Sequence, residues 1–434
     1  MNAQQQVQDL LNFIDDSPSA FHAVKSIEER LQPFGFECLD EKQKWNLNKE
    51  GRYYVIRDDS SIIFFVVGKD TLSETGYKIL GAHTDSPGLK IKPKPVKNEH
   101  GLLRLGVEVY GGPILATFTD RDLSLAGRIS YKTTDGKVDS QLIKFEQALL
   151  RLPNLAIHMN RNVNEQGLKL DKQNELPLII ASAVEEQLST NYFSSLLAKQ
   201  AGLDADAILS WELNVYDTQK GVFWGDDNQF YTNSQLDNLA SCHAGLQAIL
   251  DEAILKSGNT QICAFFDHEE IGSESTKGAD GCFLSDILKR IALATDVEQE
   301  DYQRALASSF MISADMAHAY QPNFPSAYEP EHKVMVNKGP VVKINANQRY
   351  SSESISDAQF MQWCEQANVP YQKYSHRTDI PCGSTIGPMT SAILGIRSVD
   401  VGNPMWAMHS IRESAGVEDH SYMIQVLKRF FLNT

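Results

Sequence analysis

The second half of the chain, from Asp237 onward, alternates between segments of helical periodicity and short apolar runs of strand length. This alternation limits the fold more than any other feature. Strands that alternate with helices form a mostly parallel sheet with helices on both faces. The predicted helices are 237–255, 284–294, 357–367, 388–394 and 422–431, and the predicted strands are 262–266, 310–313, 341–345 and 398–401. The sequence therefore predicts an α/β fold with a mostly parallel sheet flanked by helices.

The region before Asp237 does not show this regular alternation of helices and strands. Two helices are predicted between residues 4 and 31, and strands follow at 53–56, 62–67, 77–80 and 89–91. Beyond residue 92, strand-like pieces at 103–110, 127–132 and 212–216 are separated by turn-rich loops, with one helix-like segment at 191–200. We therefore predict a discontinuous α/β domain, residues 1–92 plus 237–434, and an inserted β-rich domain, residues 93–236.

Composition excludes several classes of protein. The 434 residues carry 40 basic and 56 acidic side chains, a formal net charge of −16, whereas general nucleic-acid binders have a basic surface. The longest apolar run, Ile62–Val67, is far shorter than the ~20 residues of a membrane-spanning helix. Residues 1–16 lack the features of a secretory signal, and the six cysteines form no CxxC pair. We expect a cytoplasmic protein with reduced, mostly buried thiols and with no nucleic-acid or membrane partner.

Four predicted strands lead directly into histidines and carboxylates. The strands at 77–80, 262–266, 310–312 and 398–401 are followed in that order by His83 and Asp85, by Glu269 and Glu270, by Asp315 and His318, and by His409. Asp237 opens the first helix after the inserted segment. Because ligands bind at the carboxyl ends of strands in open parallel sheets, these side chains can converge on one crevice.

Such a cluster of carboxylates needs a cation, because like charges cannot all stay ionised close together in a cleft. A mixed set of imidazoles and carboxylates suits Zn²⁺, and Mn²⁺ or Co²⁺ are plausible substitutes. Two ions roughly 3.5–4 Å apart can bridge a water, lower its pKa and polarise a carbonyl. One carboxylate must stay free of metal to accept the proton of that water. The adjacent pair Glu269-Glu270 offers one base and one ligand.

Each candidate also has an ordinary structural interpretation. The alternatives are a strand-end turn for His83-x-Asp85, a helix N-cap for Asp237, a turn position for Asp315 and a core position for His409. Adjacent glutamates, such as Glu185-Glu186, usually form a solvated face. Glu269-Glu270 differs because an apolar strand precedes it and Gly272 follows it. The presence of all five candidate features in one chain favours a metal site over five separate structural explanations.

Other hydrolytic and nucleotide chemistries have no support in the sequence. The segment His268-Glu269-x-x-Gly272 lacks the second histidine of a HExxH zinc helix, which excludes that type of metalloprotease. The chain contains no GxSxG elbow, no GxxxxGK[ST] phosphate loop and no strand-linked GxGxxG. Acyl-enzyme and nucleotide chemistry are therefore not expected.

Seven sequence blocks resemble the aspartyl aminopeptidases, dinuclear zinc exopeptidases that remove N-terminal Asp or Glu from peptides. The resemblance covers nearly the whole chain. The blocks are GAHTDSPG (81–88), QLDN (235–238), DHEEIGS (267–273), SADMAH (313–318), GPVVKIN (339–345), PCGSTIGP (381–388) and MHSIRE (408–413). No ligand position of the family pattern is substituted.

The resemblance implies a role for each candidate residue. It assigns His83 and Asp315 to one zinc, Glu270 and His409 to the other, Asp237 to both, Glu269 to the general base, and Asp85 to a position that orients His83. It also implies that Lys343 faces the acidic side chain of the substrate, where the ordinary alternative is a solvated lysine. His158, otherwise an ordinary surface histidine, would reach the active site of a neighbouring subunit. The inserted domain would assemble the enzyme into a tetrahedral dodecamer.

Two other functions remain open at this stage. One is a related co-catalytic zinc enzyme with a different substrate, such as a neutral or broad-range aminopeptidase or an N-acyl deacylase. The other is a non-enzymatic assembly protein that uses zinc structurally. The unligated Glu269 favours catalysis, because a structural zinc site is normally closed by sulfur and imidazole ligands.

Overall fold

The computed structural model describes residues 1–182 and 191–432 of the chain, so the pair Glu185-Glu186 lies outside the described residues. The helices are α1 (Ala3–Asp15), α2 (Ala20–Leu31), α3 (Leu72–Thr75), α4 (Val163–Gln166), α5 (Tyr192–Ala201), α6 (Leu236–Ile249), α7 (Phe283–Ala294), α8 (Gln299–Ser308), α9 (Ser354–Gln366), α10 (Ile386–Leu394) and α11 (Val417–Leu432). The strands before α6 are β1 (Glu37–Cys38), β2 (Arg52–Arg57), β3 (Ser61–Val66), β4 (Tyr77–His83), β5 (Gly88–Glu99), β6 (Leu102–Tyr110), β7 (Leu123–Lys132), β8 (Val138–Lys144), β9 (Leu178–Ser182), β10 (Ile208–Asp217), β11 (Val222–Trp224) and β12 (Phe230–Asn233). The strands after α6 are β13 (Thr260–Phe266), β14 (Phe310–Ala314), β15 (Ala317–His318), β16 (Val341–Ile344), β17 (Gln372–Ser375), β18 (Arg397–Gly402), β19 (Pro404–Trp406) and β20 (Glu413–Gly416).

A nine-stranded sheet forms the centre of the molecule, in the order β1-β2-β3-β13-β4-β14-β18-β16-β17. Its central strands β13, β4, β14 and β18 are mutually parallel. Along β13, Cys263 and Phe265 pack in the same core cluster as residues of α6 and α11, whereas Ile262, Ala264 and Phe266 pack with residues of α7. Both faces are therefore covered, which explains why the strand is apolar throughout. The predicted α/β fold with a mostly parallel, helix-flanked sheet is confirmed.

A second sheet has six antiparallel strands in the order β8-β7-β10-β5-β6-β9 and encloses its own apolar cluster. A third sheet joins strands from before and after α6, in the order β11-β12-β20-β19-β15. The strand predicted at 89–91 in the α/β domain is the start of β5, so it belongs to the six-stranded sheet. Conversely, β11 and β12 lie inside the predicted inserted domain but belong to the third sheet, where β11 pairs with β12 and β12 pairs with β20. The proposed boundary at 92/93 falls within β5, and the proposed boundary at 236/237 follows β12, whereas the change from the six-stranded to the third sheet lies between β10 and β11. The division into two domains remains a prediction.

Some elements were not predicted or have different bounds. Helix α8 was missed because it buries only Tyr302 and Ala305, which leaves no apolar stripe for the pattern to detect. Strand β17 was missed for a similar reason, since only Tyr374 of its four residues is buried. Helix α6 ends at Ile249, before the predicted end at residue 255.

The cysteines are all free thiols, but the expectation that most are buried is only half correct. Cys242, Cys263 and Cys364 are buried, Cys382 is half-buried, and Cys38 and Cys282 are exposed. Among the described residues, no helix combines the length and the apolar character needed to cross a bilayer. The cytoplasmic location stays a prediction.

Candidate metal centre and active site

The parallel strands at the centre of the large sheet bring the candidate ligands to one edge. His83 is the last residue of β4 and is paired with Phe266, the last residue of β13, so that Glu269 and Glu270 follow at the same edge. Asp315 directly follows β14, the neighbour of β4 on the other side. Asp237 lies in the first turn of α6 and His409 in the loop between β19 and β20. Residues separated by up to hundreds of positions in the chain therefore meet in one place.

The imidazoles and carboxylates form two triads that share Asp237. In the first triad, Nε2 of His83 lies 3.4 Å from Asp237 Oδ1 and 3.6 Å from Asp315 Oδ1. In the second triad, Nε2 of His409 lies 3.4 Å from Asp237 Oδ2 and 3.3 Å from Glu270 Oε1. The two oxygens of Asp237 thus face different histidines, which is the geometry expected of a bridging carboxylate.

Unpaired oxygen atoms at this centre fit a divalent cation. Asp237 Oδ1 and Glu270 Oε1 are buried, and neither accepts a hydrogen bond from the described residues. Ligand atoms of His83, Asp237 and Glu270 all lie within 4.8 Å of one another. Buried carboxylate oxygens without partners are costly unless a cation compensates them. The mixed nitrogen and oxygen donor set suits zinc.

The electrostatics of the second triad also favour positive charge. Burial alone would lower the pKa of the His409 imidazole, but the carboxylates of Asp237 and Glu270 raise it to about 11. Burial raises the pKa of Glu270 to about 7, in spite of the opposing effect of His409. The carboxylates therefore attract a cation to the position between these side chains, and a metal ion would occupy it with neutral imidazole as ligand.

Glu269 lies beside the first triad, slightly farther from His83 than Asp315 does. Its Oε2 lies 3.9 Å from Nε2 of His83, which is farther than any of the four distances within the triads. Burial raises the pKa of Glu269 well above its usual value, and the carboxylates of Asp315 and Glu270 raise it further against the lowering effect of His83. A buried carboxylate that takes up a proton readily is suited to general acid–base chemistry.

Asp85 supports the centre without belonging to either triad. The backbone oxygen of Asp85 lies 3.0 Å from Nδ1 of His83, and its Oδ1 lies 3.4 Å from the same nitrogen. Its carboxylate also accepts hydrogen bonds from the backbone N–H groups of Glu269 at 3.1 Å and Glu270 at 3.2 Å. The phenol of Tyr110 donates to Asp85 Oδ2 at 2.7 Å. Asp85 therefore links His83 to the loop that carries the two glutamates.

Sequence reasoning missed Tyr110, which belongs to β6 of the six-stranded sheet. No local motif marks it, and the only signal is its position at the end of an alternating strand. The ammonium of Lys90 lies 3.8 Å from the centroid of the Tyr110 ring, so the second sheet contributes a tyrosine and a neighbouring cation beside the metal centre.

Lys343 lies next to the first triad and is buried, so the alternative of a solvated lysine is wrong. Its Nζ donates to the backbone oxygen of Met316 at 3.2 Å and lies 3.6 Å from Asp315 Oδ2. The ring of Tyr350 is 5.1 Å away. Burial and the charge of Lys343 lower the pKa of the neighbouring His318 to about 4. A buried ammonium therefore stands at the edge of the centre beside a neutral imidazole.

His158 is not part of this cluster within the subunit. It lies in the loop between β8 and α4 and is exposed, as are its neighbours Ile157 and Met159. Among the described residues, no hydrogen bond or ion pair connects it to the two triads.

Comparison with known proteins identifies the family. The family described as Aminopeptidase I zinc metalloprotease (M18) matches residues 13–431. The chain belongs to the M18 family. The probable M18 family aminopeptidase 2 of Stutzerimonas stutzeri (strain A1501) is 46% identical over 430 residues, which cover 98% of this chain and 97% of that relative. The corresponding protein of Azotobacter vinelandii (strain DJ / ATCC BAA-1303) is 45% identical, with the same coverage of both chains.

Solved structures of M18 proteins have the same fold. A chain of the cryo-electron microscopy structure of the Ape4 and Nbr1 complex has a TM-score of 0.96 and 37% identity, and the match covers 99% of this chain and 86% of that one. The mApe1 dodecamer of S. cerevisiae has a TM-score of 0.85 and 26% identity, with 98% and 95% covered. As a member of the M18 family, this protein is a zinc aminopeptidase, and the predicted metal-dependent aminopeptidase activity is confirmed at that level.

Proposed function

We propose that this M18 aminopeptidase removes Asp or Glu from the N-terminus of peptides, with two zinc ions and Glu269 as the general base. The observation that carries the proposal is the shared carboxylate of Asp237, whose two oxygens face His83 and His409 separately. A single-metal site would not need two triads joined by one carboxylate.

The two triads would hold the zinc ions. His83, Asp237 and Asp315 would bind one ion, and Asp237, Glu270 and His409 the other. When bound, the ions would polarise the scissile carbonyl and lower the pKa of the attacking water. Asp85 would keep the imidazole of His83 in the orientation that its ligand role requires, through its backbone oxygen at 3.0 Å and its carboxylate at 3.4 Å from Nδ1.

Glu269 performs the proton transfers of the proposed reaction. It accepts a proton from the attacking water as the new carbon–oxygen bond forms. It then returns that proton to the nitrogen of the leaving peptide as the carbon–nitrogen bond breaks. The raised pKa of Glu269 supports both directions of transfer, because a weakly acidic carboxyl holds the proton between the two steps.

Lys343 supports the preference for an acidic first residue. Its ammonium is buried and lies 3.6 Å from Asp315 Oδ2, so a carboxylate of the substrate would meet a desolvated positive charge at the edge of the centre. Charge-assisted hydrogen bonds in such surroundings are stronger than neutral ones, and a neutral side chain would leave the ammonium without a substrate partner.

The Lys343→Met variant should lose selectivity for acidic residues. We expect kcat/KM for an Asp substrate to fall about 10- to 100-fold, the range of a lost charge-assisted hydrogen bond, while kcat/KM for a Leu substrate changes little. Lys78→Met is the matched control, since Lys78 is also buried but lies at the start of β4, far along the strand from His83. An unchanged ratio of Asp to Leu hydrolysis in Lys343→Met would disprove the specificity assignment.

A substrate panel tests the proposed function itself. Hydrolysis of Asp-, Glu-, Leu- and Ala-anilides and of N-acylated amino acids would be measured with and without a chelator. The proposal predicts chelator-sensitive hydrolysis of the Asp and Glu substrates. Preferred hydrolysis of Leu and Ala anilides would indicate a neutral or broad-range aminopeptidase, and cleavage of acylated amino acids a deacylase. A chelator that unfolds a protein without prior peptidase activity would indicate structural zinc.

We also propose that the enzyme is a homo-oligomer, a tetrahedral dodecamer, in which His158 of one subunit stabilises the developing oxyanion in the next. The exposed apolar neighbours Ile157 (47% exposed) and Met159 (76% exposed) support burial of this loop against another subunit. Loss of an oxyanion donor commonly costs ~3 kcal/mol.

Co-expression of two inactive variants tests the shared site. Subunits with His158→Ala and subunits with Glu269→Gln should each be nearly inactive alone. Mixed oligomers should regain part of the activity, because a site with an intact Glu269 can then receive His158 from its neighbour. Oligomers built from the double variant should stay inactive. Mixed oligomers without any recovery would place His158 outside the neighbouring site.

A further inference from the structure

Glu413 is a buried carboxylate beside the metal centre that belongs to neither triad. It is the first residue of β20, only 2% of its surface is exposed, and it lies four residues after His409 in the MHSIRE block. No basic side chain forms an ion pair with it among the described residues. A buried carboxylate without a cation is costly unless its oxygens accept other hydrogen bonds.

Both oxygens of Glu413 accept backbone hydrogen bonds from residues of the second triad. Oε2 accepts the N–H of Asp237 at 3.1 Å, and Oε1 accepts the N–H of His409 at 2.6 Å. These two residues come from α6 and from the loop before β20, and the positions of Asp237 and Glu413 differ by 176 residues. One side chain therefore joins two metal-ligand candidates that the covalent chain does not hold together.

The backbone at His409 gives the contact a further consequence. His409 has a φ of +68°, in the left-handed region that a residue with a side chain adopts at a cost. The hydrogen bond from its own N–H to Glu413 holds the residue in that conformation. Without this bond, we expect the loop to relax and the imidazole to move away from Asp237 and Glu270.

We propose that Glu413 is a positioning residue that fixes Asp237 and His409 relative to each other and thereby sets the zinc affinity of the second triad. The proposal rests on the two-zinc function above. Asp85 makes the corresponding pair of contacts, since it accepts the N–H groups of Glu269 and Glu270. Each glutamate or aspartate of this kind holds one part of the centre, and Glu413 holds the part that contains the bridging carboxylate.

The Glu413→Gln variant tests the proposal. Glutamine keeps the size of the side chain, but its amino group cannot accept a hydrogen bond, so one of the two N–H groups loses its acceptor. We expect the affinity for the zinc ion of the second triad to fall about 10- to 100-fold, as for other residues that support metal ligands, and the affinity for the other ion to change less. Titration of the purified holoenzyme with a chromogenic chelator measures both affinities, and kcat should fall while KM changes little.

Asp419→Asn is the matched control. Asp419 is fully buried on α11 and also accepts two backbone N–H groups, from Asn337 at 2.5 Å and Gly339 at 2.8 Å, but it contacts no metal-ligand candidate. It should lose stability in urea as Glu413→Gln does, yet keep both zinc affinities. If Glu413→Gln binds both zinc ions as tightly as the wild-type enzyme does, the proposal is overturned. A wild-type enzyme with fewer than two zinc ions would instead contradict the proposed function.

A measurement on the wild-type chain covers the case in which Glu413→Gln does not fold. After removal of zinc, the amide protons of Asp237 and His409 should still exchange slowly with solvent, because Glu413 holds them without metal. Fast exchange of both amides in the zinc-free protein would overturn the proposal.

Discussion

Substitution of Glu269 by glutamine is expected to lower kcat by about 100- to 10,000-fold while the enzyme retains its zinc. Glutamine has nearly the shape of glutamate but cannot accept and return a proton at pH 7. Glu269 lies outside both triads, at 3.9 Å from His83 Nε2, so its loss should not empty either metal position. Steady-state kinetics with an Asp-anilide and elemental analysis of the same preparation would measure both quantities.

The neighbouring residue supplies the control for this prediction. Glu270→Gln changes the same side-chain type one position along the chain, but Glu270 Oε1 lies 3.3 Å from His409 Nε2 within the second triad. This variant should lose both activity and zinc. If Glu269→Gln keeps near-native turnover, Glu269 is not the base. If it loses zinc as Glu270→Gln does, it is a ligand and the division of roles between the two glutamates is wrong.

The Asp237→Asn variant should lose affinity for both zinc ions. Its two oxygens face different histidines, so replacement of one oxygen by an amide nitrogen removes a ligand from one position and a negative charge from both. We expect each affinity to fall by more than the roughly 10- to 100-fold that follows loss of a supporting hydrogen bond. Activity should fall to background at micromolar zinc, and chelator titration would follow the two affinities.

A buried aspartate outside the centre provides the comparison. Asp400 is fully buried and its carboxylate accepts hydrogen bonds from the hydroxyls of Ser313, Ser351 and Thr385. Asp400→Asn should destabilise the fold without a change in zinc content per folded subunit. An Asp237→Asn enzyme that keeps two tightly bound zinc ions would contradict the bridging role.

The positions of most candidate ligands could be predicted from the sequence because they follow apolar segments of strand length, whereas Asp237 opens helix α6. His83, Glu270 and Asp315 stand at or just after the ends of β4, β13 and β14, and parallel strands bring such positions to one edge. The pattern of apolar segments followed by histidines and carboxylates therefore predicted both the α/β fold and the convergence of these side chains. The pattern also predicted that the middle of the chain is rich in β-strands, although strand β5 begins at Gly88, before the predicted boundary at residue 93.

The residues that support the ligands could not be predicted in this way. Tyr110 and Glu413 act through contacts that exist only after the sheets have packed together. Tyr110 reaches Asp85 from a different sheet, and Glu413 reaches the backbone of a residue 176 positions away. The burial of Lys343 could not be predicted either, because a lysine in an alternating strand normally faces solvent, whereas in the structure it is buried beside Met316, Asp315 and Tyr350.

The most direct test of the central claim is diffraction from crystals of the active enzyme, with data collected above and below the zinc absorption edge. Two anomalous peaks are expected in each subunit, one among His83, Asp237 and Asp315 and the other among Asp237, Glu270 and His409. A single peak, or peaks at other side chains, would contradict the central claim.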